Sequence, residues 1–276
     1  MARDSRIISY YGGKHTMAPE LIKMMPKHDA FFEGFAGSLA VFFRKPKVKF
    51  NCVNDFDKDL ANLYYVCSKK ELFDEFQNSA FFLIQSRDIY DIIRTRINQK
   101  KKYITIPDVE RAAEYFFFIR NSFNNRPGTS LSKNVSKWDT DILTEIEWGR
   151  KKLDNVLVEN MDIVKLIEKH WRVKNALWFL DPPYWVANGT TYYGHVFNEY
   201  DHTRFLNGVN QLRENPTNNI MITYDDHPKI RELFSDYYIK EIGVKYTSTD
   251  ETIDTNEIII SNFKIEDDQL ELFSKV

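Results

Sequence analysis

The residues with the clearest chemical potential are Asp181-Pro182-Pro183-Tyr184, which follow the apolar run Trp178-Phe179-Leu180. Proline donates no backbone hydrogen bond, and the second proline keeps Pro182 extended, so the Pro182 carbonyl points in a fixed direction. That carbonyl and the Asp181 carboxylate are two acceptors beside the aromatic face of Tyr184. Together they could bond both N–H groups of a ring amine and make its nitrogen nucleophilic. A strand-ending turn explains the same residues without any chemistry.

A second candidate site is the glycine-containing turn Glu33-Gly34-Phe35-Ala36-Gly37 near the N-terminus. Asp55 ends the next apolar run, and a carboxylate about 20 residues past such a turn can accept hydrogen bonds from ribose hydroxyls. The complete Gly-x-Gly-x-x-Gly pattern that serves a pyrophosphate is missing. The pattern therefore favours a nucleoside without phosphates, such as S-adenosylmethionine, over NAD. An ordinary turn followed by a strand end gives the same pattern, so both interpretations remain open.

The elements that must position these residues alternate between strands and helices. Short apolar runs predict strands at residues 31–32, 49–53, 156–158, 176–180, 220–223, 238–244 and 257–262. Helical periodicity covers residues 70–120, and the Asn-, Ser- and Gly-rich stretch 121–140 predicts a long loop. This order predicts an α/β domain with a mostly parallel sheet, interrupted by a helical insertion. In such sheets ligands bind beyond the carboxyl ends of the strands, which is where both candidate sites lie.

The composition limits the class of protein. The chain has 276 residues, of which 43% are hydrophobic, and this content excludes a disordered protein. No apolar run reaches the roughly 18 residues of a membrane helix, and the N-terminus leads into no signal-peptide core, so we expect a cytoplasmic protein. Cys52 and Cys67 are too few for a disulfide framework or a structural zinc site.

The net charge of -2 argues against a strongly basic nucleic-acid binder, but it averages unlike parts. Residues 1–62 carry 10 basic and 7 acidic side chains, residues 63–154 carry 16 and 13, and residues 155–276 carry 12 and 20. The basic residues of the middle segment either solvate a surface or face phosphates, since Asn and aromatic residues lie near them. Charge alone leaves both interpretations open.

Taken together, the motifs resemble those of the Dam-type DNA adenine-N6 methyltransferases over nearly the whole chain, up to about Phe263. Asp181 to Tyr184 is similar to the family's catalytic motif, and Tyr11-Gly12-Gly13-Lys14 to its N-terminal motif. Asn54-Asp55 is similar to the ribose-binding acid. The catalytic residues that this resemblance implies are Asp181, Pro182 and Tyr184. The implied cofactor-binding residues are Tyr10, Lys14, Glu33, Gly34, Phe35, Ala36, Gly37, Ser38, Asp55 and Asp162.

The resemblance implies a Rossmann-like S-adenosylmethionine-dependent methyltransferase fold with a helical target-recognition insertion. Residues 1–62 and 155–276 would form a discontinuous catalytic domain, and residues 63–154 the DNA target-recognition domain. The implied reaction is site-specific methylation of N6 of an adenine flipped out of double-stranded DNA, with no metal, by a bacterial or phage enzyme working at the nucleoid. The candidate DNA-binding residues are Arg94, Arg96, Lys101, Arg120, Asn121, Ser122, Asn124, Arg126 and Lys133.

Alternatives to this reaction are methylation of cytosine N4 or of an RNA base, since the tetrapeptide requires only an exocyclic amine. Two residues depart from the family pattern, Gly34 in place of a proline and Leu39 in place of a second glycine. Leu39 also suggests a DNA-binding relative with an impaired active site. The triplet Asp225-Asp226-His227 follows a predicted strand and indicates a turn that rims the active site, with a metal or hydrolase cluster as the alternative.

The C-terminal tail carries a short apolar cluster after an acidic run. Gln269-Leu270-Glu271-Leu272-Phe273 resembles the Gln-Leu-x-Leu-Phe peptide that bacterial replication proteins insert into the sliding clamp. Leu272 and Phe273 would fill a pocket and Gln269 would be a polar anchor. A tail that folds back and buries its apolar side chains on its own domain is the alternative.

Overall fold

The structure is a computed structural model, and it describes residues 7–9, 13–100, 105–123, 130–132, 138, 142–185, 190–192, 195–247 and 252–265. The chain forms two compact units. The first unit comprises Met1–His15, Ala36–Lys47 and Val53–Asn160, and the second comprises Thr16–Phe35, Val48–Cys52 and Met161–Val276. The predicted division into a catalytic and a target-recognition domain is a division by role, and it stays a prediction.

Helices and strands alternate through much of the described part of the chain. The helices are α1 (Ala18–Lys23), α2 (Ala40–Arg44), α3 (Lys58–Ser68), α4 (Lys70–Phe81), α5 (Arg87–Lys100), α6 (Val109–Asn121), α7 (Ile142–Leu153), α8 (Ile163–His170), α9 (Glu199–Arg213) and α10 (Pro228–Leu233). The strands are β1 (Ala30–Glu33), β2 (Phe50–Asn54), β3 (Leu157–Glu159), β4 (Ala176–Leu180), β5 (Thr190–Tyr192), β6 (His195–Phe197), β7 (Asn219–Asp225), β8 (Tyr238–Thr247) and β9 (Thr252–Ser261).

The sheet of the second unit has the strand order β2-β1-β4-β7-β9-β8. Only the first residues of β2, up to Cys52, belong to this unit. β4 is parallel to β1 on one side and to β7 on the other, whereas β9 is antiparallel to both β7 and β8. All five residues of β4 are buried, as expected for a central strand covered on both faces. The predicted α/β fold with a mostly parallel sheet is confirmed.

Aromatic packing and helix caps hold the second unit around its central strands. The rings of Phe32 on β1 and Trp178 on β4 stack with their centroids 4.0 Å apart. α9 begins at a capping box in which the Asn198 and Asp201 side chains bond each other's backbone amides. α8 packs against α9. The carboxyl end of β4 therefore projects from a rigid, buried support.

The first unit is mainly helical, which confirms the helices predicted over residues 70–120. A buried ion pair joins α3 to α6, because the Arg111 guanidinium donates to both carboxylate oxygens of Asp59 at 2.6 and 3.0 Å. Arg111 also donates to the carbonyls of Arg96 and Ile97 on α5. In the same unit β3 lies beside the end of β2, where the Asp55 amide donates to the Glu159 carbonyl.

In two regions the sequence patterns did not predict the pairing that the structure shows. The antiparallel pair of β5 and β6 was not predicted, because both strands are only three residues long. Within the predicted loop 121–140, Ser122 and Leu131 form an antiparallel bridge, and much of the remainder lies outside the described residues. Among the helices that the structure describes, none is both long enough and apolar enough to cross a membrane.

Candidate active site

Asp181 is the first residue beyond β4, at the carboxyl end of the parallel part of the sheet. Its Oδ1 accepts a hydrogen bond from the Thr223 hydroxyl at 2.6 Å. Thr223 lies on the neighbouring strand β7 and is fully buried. The carboxylate that the sequence marked as catalytic is therefore held by a residue of the adjacent strand.

The rest of loop 181–185 is fixed further along β7. Pro182 is buried, and the Tyr184 ring lies 6.3 Å from the ring of Tyr224. At the end of the loop the Trp185 amide donates to Asp225 Oδ1 at 3.2 Å. Loop 181–185 is thus bonded to β7 at both ends, which presents Asp181, Pro182 and Tyr184 on one short segment.

The side chains around this loop are largely uncharged at neutral pH. Burial raises the pKa of the Tyr224 hydroxyl well above its usual value, and the charges of Asp225 and Asp181 add to the effect. Burial also lowers the pKa of His202 to about 4, so that this imidazole is neutral. Its Nδ1 lies 2.8 Å from the Tyr224 oxygen. The loop is therefore backed by neutral aromatic groups, a setting that strengthens hydrogen bonds to a carboxylate.

Gly34 occupies a tightly packed position, where an added side chain would displace its neighbours. A Cβ there would lie 2.6 Å from both Ile163 Cδ1 and Leu180 Cδ2. The Gly34 amide also donates to the Phe179 carbonyl at 3.1 Å and so extends the pairing of β1 with β4. Proline, the residue of the family pattern, has a Cβ and lacks this donor. The departure at this position is explained by the local packing.

Asp162 is engaged by its own helix and by a cation. Its Oδ1 caps α8 by accepting from the Val164 amide at 3.0 Å, and Arg204 on α9 donates to the same atom at 3.0 Å. Nearby in the second unit, the Phe35 ring packs edge-on against Phe197 and Phe205. Glu33, the last residue of β1, is buried.

In the first unit, backbone amides surround the Asp55 carboxylate. The Gly37 amide donates to Oδ2 at 3.0 Å and the Asp57 amide to Oδ1 at 2.9 Å. Burial raises the Asp55 pKa to about 6, and these amide bonds act in the opposite direction. Ala36 bonds through its amide to the Asn54 carbonyl at 2.8 Å. A carboxylate has about four acceptor sites, so the Asp55 carboxylate can accept a hydroxyl besides these amides.

The loop that follows retains a glycine-like backbone despite Leu39. Leu39 has φ 54° and ψ 38°, the left-handed conformation, and its side chain is fully buried. Leu39 therefore adopts a conformation that glycine adopts more readily, at a cost of about 1–2 kcal/mol. Next to it, Ser38 Oγ is buried and has no hydrogen-bond partner among the residues that the structure describes. A buried hydroxyl in this state fits a polar atom of a bound nucleoside.

The described candidates for DNA binding divide into exposed and buried side chains. Arg94 pairs with Asp91 on the α5 surface. Arg96 pairs with Glu114 at 2.5 Å, and Arg120 lies over the Phe116 ring.

By contrast, Asn121 and Ser122 are fully buried and bond the carbonyls of Phe117 and Phe118. In the structure they hold the end of α6, and their role in DNA binding stays a prediction. The predicted residues Tyr10, Lys101, Asn124, Arg126 and Lys133 and the tail segment 269–273 lie outside the described residues. Lys14 is described and is buried.

The turn after β7 is held by contacts within the protein. Asp225 bonds the Trp185 amide, Asp226 forms an ion pair with Arg231, and His227 caps α10. In the described parts of the chain, no group of three or more His, Cys, Asp or Glu side chains is arranged to hold a metal ion.

The Asp-Pro-Pro-Tyr loop follows β4 in the second unit, and the amide-bonded Asp55 carboxylate follows β2 in the first unit. The family model of the D12 class N6 adenine-specific DNA methyltransferases matches residues 10–248. The chain belongs to this family.

Among curated proteins, the DNA N-6-adenine-methyltransferase of Escherichia phage P1 is 25% identical over 244 residues, which cover 83% of this chain and 31% of that protein. The chain thus spans about a third of the length of this relative.

Two solved structures show weaker likeness. Precorrin 8W decarboxylase of Methanobacterium thermoautotrophicum has a TM-score of 0.43 at 10% identity, with 96% of this chain and 100% of that chain covered. An S-adenosylmethionine-dependent methyltransferase of Agrobacterium tumefaciens has a TM-score of 0.38 at 8% identity, with 90% and 60% covered. At these TM-scores neither likeness carries an argument.

Proposed function

We propose that the protein is a site-specific DNA methyltransferase that transfers a methyl group from S-adenosylmethionine to N6 of an adenine flipped out of double-stranded DNA. The observation that carries this proposal is the Asp181 carboxylate, which Thr223 holds at 2.6 Å at the carboxyl end of β4. Membership of the D12 class family supports the choice of adenine and of DNA.

The chemistry at the amine follows from the residues of loop 181–185. The Asp181 carboxylate and the Pro182 carbonyl each accept one N–H of the target amino group, which directs the nitrogen lone pair out of the ring. Flipping the base out of the helix costs a few kcal/mol of stacking and pairing. The Tyr184 ring offers a face on which the flipped base recovers part of that stacking energy.

The cofactor would be held by the two loops that follow β1 and β2. S-adenosylmethionine supplies a methyl group already activated by a positively charged sulfur, so the proposal requires no metal. Asp55 accepts hydrogen bonds from ribose hydroxyls, and the Ser38 hydroxyl bonds a polar atom of the nucleoside. The remaining residues proposed to contact the cofactor are Tyr10, Lys14, Glu33, Gly34, Phe35, Ala36, Gly37 and Asp162.

The DNA would be held by residues 63–154, which carry an excess of positive charge. Arginine and lysine side chains there contact phosphates, and the arginine and asparagine side chains read base edges in the major groove. Phosphate contacts of this kind supply affinity, whereas loop 181–185 supplies the choice of the amino group. We propose that the enzyme works in the cytoplasm, at the nucleoid.

The test is methyl transfer from labelled S-adenosylmethionine to DNA and, in a parallel assay, to RNA, followed by digestion to nucleosides. We expect the label in N6-methyladenine. Label in N4-methylcytosine or in RNA would support the alternative amine substrates, and no label at all would support the impaired relative.

The residue-level test is Asp181→Ala, with Asp74→Ala, an exposed carboxylate on α4, as the matched control. Asp181→Ala should abolish transfer while cofactor binding, measured by calorimetry, stays nearly unchanged. Retained turnover would refute the assignment of the catalytic loop.

We further propose that the tail segment 269–273 binds a bacterial sliding clamp. Its glutamine and its two last apolar residues match the requirements of an extended peptide that docks in a pocket. A pull-down of the clamp with the intact chain and with residues 266–276 deleted tests this proposal. Undiminished binding after the deletion, or no binding by the intact chain, would refute it.

A further inference from the structure

Two side chains of β7 bond the first and the last residue of the catalytic loop. Thr223 and Asp225 are two positions apart, so they lie on the same face of the strand. The Thr223 hydroxyl donates to Asp181 Oδ1 at 2.6 Å, and Asp225 Oδ1 accepts from the Trp185 amide at 3.2 Å. The loop is thereby attached to one strand at both of its ends.

The strand that carries these two side chains is itself immobilised. Thr223 is fully buried and pairs with Ile259 of β9, and Asp225 pairs with Glu257 at the end of the same ladder. Burial raises the pKa of Asp225, while the bond from the Trp185 amide lowers it, so this carboxylate is a partly desolvated acceptor. The backbone that carries both side chains therefore cannot move without breaking the pairing of β7 with β9.

The Trp185 ring supplies a second restraint at the end of the loop. Its centroid lies 4.8 Å from the ring of His202 and 5.8 Å from the ring of His227. The amide that Asp225 bonds therefore belongs to a residue whose side chain contacts two other rings. This residue cannot be displaced without loss of both ring contacts.

A hydroxyl donor at Oδ1 restricts a torsion that is otherwise soft. The carboxylate of an aspartate rotates about a bond with broad preferences, so packing alone does not fix its plane. The bond from Thr223 fixes that plane and thus the direction in which Oδ2 points. The direction of the Pro182 carbonyl likewise depends on the loop, and the two bonds to β7 hold that loop at both ends.

We propose that Thr223 and Asp225 are positioning residues that clamp loop 181–185 to β7, so that the Asp181 carboxylate and the Pro182 carbonyl converge on one amino group. The inference rests on the proposed function, because it assigns the clamp to the same site. Misplacement of a reacting group by about 1 Å can cost about 100-fold in rate, which sets the scale of the expected effect.

The test at Thr223 compares two variants that separate the hydroxyl from the volume of the side chain. Thr223→Val keeps the shape and removes the donor, and we expect kcat to fall about 10- to 100-fold with KM for DNA changed less than about twofold. Thr223→Ser restores the donor and should recover kcat to within about threefold of wild type. Ser261→Ala is the matched control, since it removes a fully buried hydroxyl of β9 that bonds the Phe263 carbonyl, and kcat should not change.

The test at Asp225 adds a measurement on the cofactor-free protein. Asp225→Ala should speed amide hydrogen exchange at Trp185 and lower kcat, whereas Asp225→Asn keeps an acceptor and should preserve both. Thr223→Val should leave the Trp185 exchange rate near that of wild type.

Several results would overturn the clamp. They are a wild-type kcat in Thr223→Val, equal losses in Thr223→Val and Thr223→Ser, a similar loss in Ser261→Ala, or an unchanged Trp185 exchange rate in Asp225→Ala. A wild-type chain that transfers no methyl group would overturn the proposed function and with it the catalytic purpose of the clamp. In that case the exchange rates still decide whether Asp225 holds the loop.

Discussion

Replacing Gly34 by alanine tests the packing around the loop that follows β1. The added Cβ would lie 2.6 Å from Ile163 Cδ1 and from Leu180 Cδ2, whereas carbon atoms in contact are about 3.5–4.0 Å apart. Both methyl groups must therefore retreat by about 1 Å. Leu180 is fully buried and Ile163 is 6% exposed, so neither side chain can turn into solvent.

The expected loss of stability combines two opposing effects. Overpacking of a filled core costs about 1–3 kcal/mol. The alanine also restricts the unfolded chain, which offsets about 0.4–1 kcal/mol. We expect Gly34→Ala to lower the free energy of unfolding by about 1–2 kcal/mol. Gly243→Ala is the matched control, because no atom lies within 4 Å of a Cβ on that residue of β8, and it should be neutral or slightly stabilising.

Denaturant unfolding followed by circular dichroism measures these differences. Ile163→Val removes the Cδ1 atom that a Cβ at residue 34 would meet, and alone it should cost about 0.5–1.5 kcal/mol. Combined with Gly34→Ala, it should cost less than the sum of the two single changes. The reasoning fails if Gly34→Ala is as stable as Gly243→Ala, or if the two changes at the contact are strictly additive.

Three further predictions concern charged groups. Because the pKa of Asp55 is raised to about 6 in the folded protein, its ionised form opposes folding above pH 6. The stability of wild type relative to Asp55→Asn, measured by unfolding at each pH, should therefore rise as the pH falls from 8 to 4, by at most about 3 kcal/mol. Arg111→Leu leaves the buried Asp59 carboxylate without its cation, so it should lower the free energy of unfolding by about 3–5 kcal/mol in the same assay. Arg94→Gln, at an exposed pair, should lower it by less than about 1 kcal/mol. If Arg94 contacts one DNA phosphate, Arg94→Gln should lower the slope of log binding constant against log salt by about 0.9, and an unchanged slope would remove it from the interface.

The Asp-Pro-Pro-Tyr loop and Asp55, the acid after β2, were predictable because neighbouring residues in the chain determine where each strand ends. Two prolines stop the apolar strand β4 and leave Asp181 at its end, whatever lies beside that strand. The alternation of apolar runs likewise predicted the α/β fold and strands that match β1, β2, β4 and β7. Local covalent and steric restrictions act before any tertiary contact forms, so a sequence displays them directly.

The side chains that position the loop were decided only by tertiary structure. Nothing near Thr223 in the chain marks it as a partner of Asp181, since the two meet because β7 pairs with β4. Burial of Asn121 and Ser122, in a segment predicted to be a loop, likewise depends on how α6 packs. Strand order and burial arise from contacts between distant residues, and residue types at short spacing carry little information about them.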